Sequence, residues 1–131
     1  MVKPIIKRKD IQLRINLQEN LPDTVADAKQ IQQVFINLLT NASDAIDGSG
    51  EIRINIYTEI GEKTNEGSYV VASIGDTGSG IQPEDLQKIF NPFFTRKTEG
   101  TGLGLPITQR ILHQHNGVID VESNANEGTC F

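Results

Sequence analysis

Residues Gln33–Ile46, QVFINLLTNASDAI, decide the fold. With Ile31 they place Val34, Phe35, Leu38, Leu39, Ala42, Ala45 and Ile46 at helical spacing, giving one broad apolar face. Such a helix must bury that face against a second layer. Upstream, Asp27 and Gln30 have the spacing of a capping box, with Asp in place of Ser or Thr. Downstream, Gly48 suits the left-handed backbone that ends a helix.

The partner layer reads as a sheet. Ile11, Leu13, Ile15 and Leu17 alternate with Gln12, Arg14, Asn16 and Gln18, which predicts a strand with one buried face. Ile52, Ile54, Ile56 and Ile60 mark another half-buried strand. Residues 61–67 suit a hairpin loop, and Tyr69–Ile74 is apolar enough to be a central strand. Pro83 opens a short helix to about Ile89. Pro106 suits the first turn of a second long helix, to about His115, with Gly117 as its stop. Val118–Glu122 and Thr129–Phe131 read as strands, and Met1–Lys9 as the tail of a helix. The expectation is an α+β, two-layer sandwich with helices on one face, forming one domain over residues 1–131.

Bulk properties narrow the function. At 131 residues, with 37% hydrophobic and 22% charged, the chain suits a single soluble globule. A net charge of −5 disfavours nucleic acid as a partner. No apolar run is long enough to span a membrane, and Met1-Val2-Lys3-Pro4 does not open a secretory signal. The single cysteine, Cys130, fits a reducing, cytoplasmic setting, although a longer parent protein could be membrane-anchored.

Four patches carry candidate chemistry. Asn37, Asn41 and Asp44 fall within about 60° on a helical wheel. They are either a solvated edge or a row of oxygen ligands of the kind that suits Mg²⁺. Gly75–Gly80, GDTGSG, follows the central strand; it is a turn, or a place where backbone meets a flat ligand beside the Asp76 carboxylate. Phe90–Lys97, FNPFFTRK, is a loop pinned by aromatics, or a lid carrying Arg96 and Lys97 toward an anion. Gly100–Pro106, GTGLGLP, places three alternating glycines before a helix, where free N–H groups and the helix dipole favour a phosphate. Neither the P-loop nor the dinucleotide fingerprint occurs.

In order and spacing these patches resemble the N, G1, F and G2 boxes of bacterial sensor histidine kinases, in the superfamily that includes DNA gyrase B, the large heat-shock chaperone and MutL. The carriers are QVFINLLTNASDAI, DTGSGI at 76–81, FNPFFTRK at 90–97 and GTGLGLPI at 100–107. NASDAI with GTGLGLPI is most similar to the nitrogen-regulator type. The resemblance runs from about Ile5 to the end. It implies the histidine kinase-like ATPase fold, with a mixed, mostly antiparallel sheet, and ATP and Mg²⁺ as ligands.

By that resemblance Asp76 binds the adenine amine, Gly78 and Gly80 lie against the ring, and Thr129 sits near the adenine. Asn41 coordinates Mg²⁺, Asn37 faces the phosphates one turn earlier, and Lys97 reaches them from the lid; Asn37 and Lys97 are the catalytic candidates. Gly100, Thr101, Gly102, Leu103 and Gly104 form the phosphate cradle. Asp44 departs from the pattern, since many relatives carry a basic residue there. Asn37 stands where hydrolytic relatives carry a Glu, and an amide cannot be a general base near neutral pH. The implied reaction is γ-phosphoryl transfer to a histidine. His113 and His115 lack the phosphoacceptor pattern and read as ordinary helix-end residues. The expected partners are therefore a phosphoacceptor domain of the same kinase, absent from this fragment, and a response regulator downstream. The isolated domain is expected to be monomeric. The rival readings are an ATPase or nucleotide-binding switch of the same superfamily and an anti-sigma-factor-type serine kinase.

Overall fold

A computed structural model describes residues 10–60, 68–95 and 102–131. In chain order the elements are β1 (Asp10–Leu17), α1 (Ala28–Ala45), β2 (Ser49–Ile60), β3 (Ser68–Asp76), α2 (Pro83–Leu86), α3 (Gly104–Gln114), β4 (Glu122–Asn124) and β5 (Gly128–Cys130). The strands form one sheet in the order β1-β2-β3-β5-β4. β1 and β2 are parallel, joined through α1, and every other pair is antiparallel. This is the mixed, mostly antiparallel sheet with a helix layer that was expected, and β3 is central. Among the described residues no helix is long and apolar enough to cross a membrane.

The helix that decided the reading is capped by Asp27 and packs its apolar face as its pattern requires, although Asp27 N goes to His115 and not to Gln30. The Asp27 carboxylate accepts from Lys29 N at 3.0 Å and Gln30 N at 3.1 Å, satisfying two donors of the first turn. Gly48 does not end the helix as expected: Ile46, the C-cap, is already extended (φ −91°, ψ 125°), and Gly48 takes its left-handed backbone, φ 76°, just before β2. Val34, Leu38, Ala42 and Ile46 pack with Ile52, Ile54, Ile74 and Ile111 into the core. α1 and α3 run antiparallel and are tied at two levels. Asn37 meets the first turn of α3, and His115 at its far end accepts from Asp27 N at 3.0 Å.

Several boundaries differ from expectation. The strand read over 118–122 is confined to Glu122–Asn124, and Val118 is exposed. The helix opened by Pro83 stops at Leu86, and turns held by Lys88 N→Asp85 O and Asn91 N→Lys88 O replace its remainder. At the end of α3 it is Asn116, not Gly117, that adopts positive φ (58°), while Gly117 N returns to Leu112 O at 2.8 Å. The largest difference concerns β1. Its apolar row does not form a buried face: Leu13, Ile15 and Leu17 are exposed. They pair with Ile52, Ile54 and Ile56, so they share the helix-side face. However, β1 is the edge strand, and α1 lies chiefly over β3 and β2.

Candidate functional site

The sheet register builds the site. Asp76 pairs with Thr129, and Thr129 with Ser123, so the three side chains form a row on the helix-side face across β3, β5 and β4. The Asp76 carboxylate accepts from Gly78 N at 2.8 Å, and the Thr129 backbone N–H also donates to it. Burial is the stronger influence: it pushes the carboxyl above its ordinary range, and the two N–H donors only partly oppose that. A half-buried carboxylate with spare acceptor capacity suits an external donor.

The loop after β3 is interlocked with its neighbours. Thr77 exchanges contacts with Glu51, its hydroxyl accepting from Glu51 N at 2.9 Å and its N–H donating to Glu51 O at 3.1 Å. Ser79 N donates to Ala45 O at the end of α1, and Asn126 N to Ser79 O. These contacts change the reason for the glycines. A Cβ on Gly78 would lie 2.5 Å from Ala45 O, and one on Gly80, where φ is 73°, would lie 2.1 Å from Asn124 O. Both positions need glycine because protein backbone presses against them, independently of any ligand ring.

The second glycine loop meets α1. The Asn37 amide nitrogen donates toward Gly104 O at 3.1 Å and Thr108 Oγ1 at 3.2 Å, and its oxygen accepts from Gln33 at 2.8 Å. Asn37 therefore braces the start of α3. Gly102 has φ 72°, and a Cβ there would strike the Phe93 backbone at 2.4 Å. Phe93 N donates to Gly102 O at 3.0 Å, so these two residues meet. Leu103 directly precedes α3, and Gly104 is its first residue, with room for a methyl group. Arg96, Lys97, Gly100 and Thr101 lie outside the described residues.

Asn41 sits one turn after Asn37, half-buried on the same edge of α1, and Asp44 is exposed beyond it. Among the described residues no group of three His, Cys, Asp or Glu could hold a metal ion. The amide oxygen of Asn41 is a donor of the right kind for Mg²⁺ that keeps its waters and binds mainly to phosphates. His113 is exposed. His115 is engaged through both ring nitrogens: Nδ1 lies 2.8 Å from Ile111 O, and Nε2 accepts from Asp27 N. Sequence reasoning missed four residues here, Thr77, Thr108, Ser123 and the bridging His115. Thr77, Ser123 and His115 each make a side-chain bond to backbone distant in sequence, and Thr108 accepts from the distant Asn37 amide; such contacts leave no local pattern.

The other face of the sheet is open and polar. There Arg14 and Arg53 flank Glu51, and the hydrogen-bonded Arg53 guanidinium holds the Glu51 carboxyl below the ordinary carboxylate range. A shallow depression beside them, lined by Arg14, Asn16, Arg53 and Asn55, is separated from the Asp76 row by the sheet itself.

Comparison with known proteins agrees with this arrangement. The sensor histidine kinase ZraS of Escherichia coli K12 is 39% identical over 123 residues, covering 94% of this chain and 25% of that protein. Sporulation kinase E of Bacillus subtilis is 34% identical over 122 residues, covering 93% of this chain and 16% of its own. The chain thus spans a quarter or less of these two relatives. Among solved structures, the catalytic domain of histidine kinase ThkA superposes with a TM-score of 0.76 at 32% identity, covering 99% of this chain and 86% of that one. Full-length ShkA in complex with AMPPNP gives 0.80 at 27% identity, covering 98% of this chain and 26% of that one. Residues 26–131 match the family of histidine kinase-, DNA gyrase B- and HSP90-like ATPases, and the chain belongs to it.

Proposed function

We propose that this domain binds Mg·ATP and transfers the γ-phosphoryl group to a histidine on a separate phosphoacceptor domain in two-component signalling. The observation that carries the reading is the Asp76 carboxylate, half-buried and held by two backbone donors at the end of the central strand. It is matched to an exocyclic amine such as that of adenine. The structural likeness to a kinase solved with AMPPNP supports a nucleotide in the same place.

In the proposed reaction an imidazole nitrogen of the acceptor forms a bond to the γ-phosphorus. The bond to the bridging oxygen breaks, and ADP leaves with that electron pair. Such transfer relies on positioning and charge neutralisation. Mg²⁺, held on the protein side by Asn41, would neutralise charge on the phosphate oxygens. Asp76 and Thr129 orient the base, with Gly78 and Gly80 closing the loop beside it. Gly102, Leu103 and Gly104 lead into the N-terminus of α3, which favours negative charge, and Asn37 braces that turn. Lys97, with Gly100 and Thr101, completes the phosphate contacts. Asn37 supplies an amide where a hydrolytic site needs a base, which favours transfer to a side chain over release to water.

The test combines the domain with labelled ATP and Mg²⁺, with and without a phosphoacceptor domain from the same kinase. Acid-labile label on the acceptor is the expected result. Free phosphate alone would indicate an ATPase, acid-stable label a serine kinase, and binding without turnover a nucleotide-binding switch; each of these would overturn the reading. Asn41→Ala is expected to keep ADP binding in the absence of metal while losing most of the gain that Mg²⁺ confers. Calorimetric titration with and without Mg²⁺ checks this.

A further inference from the structure

We infer that Ser123 is a specificity-positioning residue: it fixes the direction of the Thr129 hydroxyl, so that Asp76 and Thr129 present only hydrogen-bond acceptors to the base. The inference rests on the nucleotide-binding reading above and extends it to a residue that does not itself face the ligand in that reading.

The argument is a count of hydrogens. A serine hydroxyl has one proton to donate and two lone pairs. Ser123 Oγ accepts from Ile81 N at 2.8 Å, and it lies 3.0 Å from Gly128 O and 2.7 Å from Thr129 Oγ1. A carbonyl oxygen can only accept, so the contact to Gly128 O requires the Ser123 proton. The short contact to Thr129 must then be made by the Thr129 proton, with Ser123 accepting. The opposite allocation would leave two oxygens 3.0 Å apart with no hydrogen between them. All three capacities of Ser123 are thereby filled, and Thr129 has no proton left to offer.

Thr129 is 6% exposed and pairs with Asp76 on the same face, so its remaining lone pairs stand beside an acceptor carboxylate. A purine carrying an amine at this edge meets two acceptors, whereas one carrying an oxo group there meets only lone pairs. Sites that hydrogen-bond a substrate group reject analogues lacking it strongly, because buried polar groups are left unpaired. Ser123 also ties three segments together: β4, the loop after Gly80 through Ile81, and β5 through Gly128.

The experiment titrates ADP and inosine diphosphate, which carries an oxo group in place of the adenine amine, into the 131-residue chain and its variants. Circular dichroism and thermal melting verify folding. The unaltered chain should prefer ADP. In Ser123→Ala the Thr129 proton is released to face the ligand, and the ADP preference should fall about tenfold or more. Ser123→Thr should restore it. An Ala variant that is folded yet keeps the original ratio, including one that loses both nucleotides equally, overturns the inference. If Ser123→Ala does not fold, Thr129→Val decides: it removes the second acceptor and must also erode the ratio, and an unchanged ratio overturns the inference. Failure of the unaltered chain to bind ADP would overturn the nucleotide reading itself, and this inference with it.

Discussion

β2 enters the core at one end and leaves it at the other. Ile52 is 0% exposed, whereas Ile60, on the same strand and the same face, is 79% exposed. Its neighbours follow suit: Ile74 is buried opposite Ile54, while Ile15 on the other side of Ile54 is 59% exposed. Alternation along a strand reports which face a side chain takes, not whether anything covers it. Coverage comes from α1 and α3, and these reach only part of the sheet. The Asp76–Thr129–Ser123 row lies toward the covered end, where Ile52 pairs with Asp76. Partial burial there is what makes the carboxyl a strong acceptor at a cost to its own ionisation.

Substitutions can break or sharpen this contrast. The largest effect is expected from Ile52→Ala, which leaves a cavity among Ile46, Ile74 and the α1 residues and should cost about 2–5 kcal/mol in urea unfolding. A loss below about 1 kcal/mol would mean that this end is not the core that its burial indicates.

Asp76→Asn should come next. It is expected to weaken ADP binding about tenfold or more, since bonds to a charged group contribute about 1.5–3 kcal/mol. It also carries a pH signature. Burial holds the folded carboxyl above its unfolded value, so between the two the folded state retains an extra proton. Stability of the unliganded domain should therefore fall as pH rises from the ordinary carboxylate range through the raised one. ADP affinity should rise over that window, as the acceptor becomes ionised. The Asn variant should lose both slopes; melting curves and titrations across acidic pH would detect their persistence.

Asp27→Ala should cost about 1 kcal/mol, through the lost cap of α1. His115→Ala should cost a similar ~1 kcal/mol, by removing the acceptor for Asp27 N. If the bridge joins the same two ends, the double variant should cost less or more than the sum, which a double-mutant cycle would measure. Ile60→Ala should be smallest, within about 0.5 kcal/mol of the parent. A large loss there would show that the exposed end is covered in solution, and the contrast would fail.

Much of this molecule could be read in one dimension. The period and caps of α1, the alternation of β1 and β2, and the places of Asp76, Asn41 and the glycines are local properties, set by residues a few positions apart. Gly78 and Gly80 were legible as positions that call for glycine, and the structure adds protein neighbours that the sequence did not name. The contacts that require them, Ala45 O and Asn124 O, arrive from other segments of the chain. Asn37 likewise reads as a site residue by its spacing, while its partners at Gly104 and Thr108 lie 67 and 71 positions away. By itself, the order of residues determined which segments become helix or strand, which face each turns inward, and which chemical groups are available. Tertiary structure decided how far the helix layer extends over the sheet, what presses on each glycine, and which hydroxyl proton goes to which oxygen. The reason is that backbone conformation follows mostly from near neighbours, whereas burial and hydrogen-bond partnership depend on which distant segments meet.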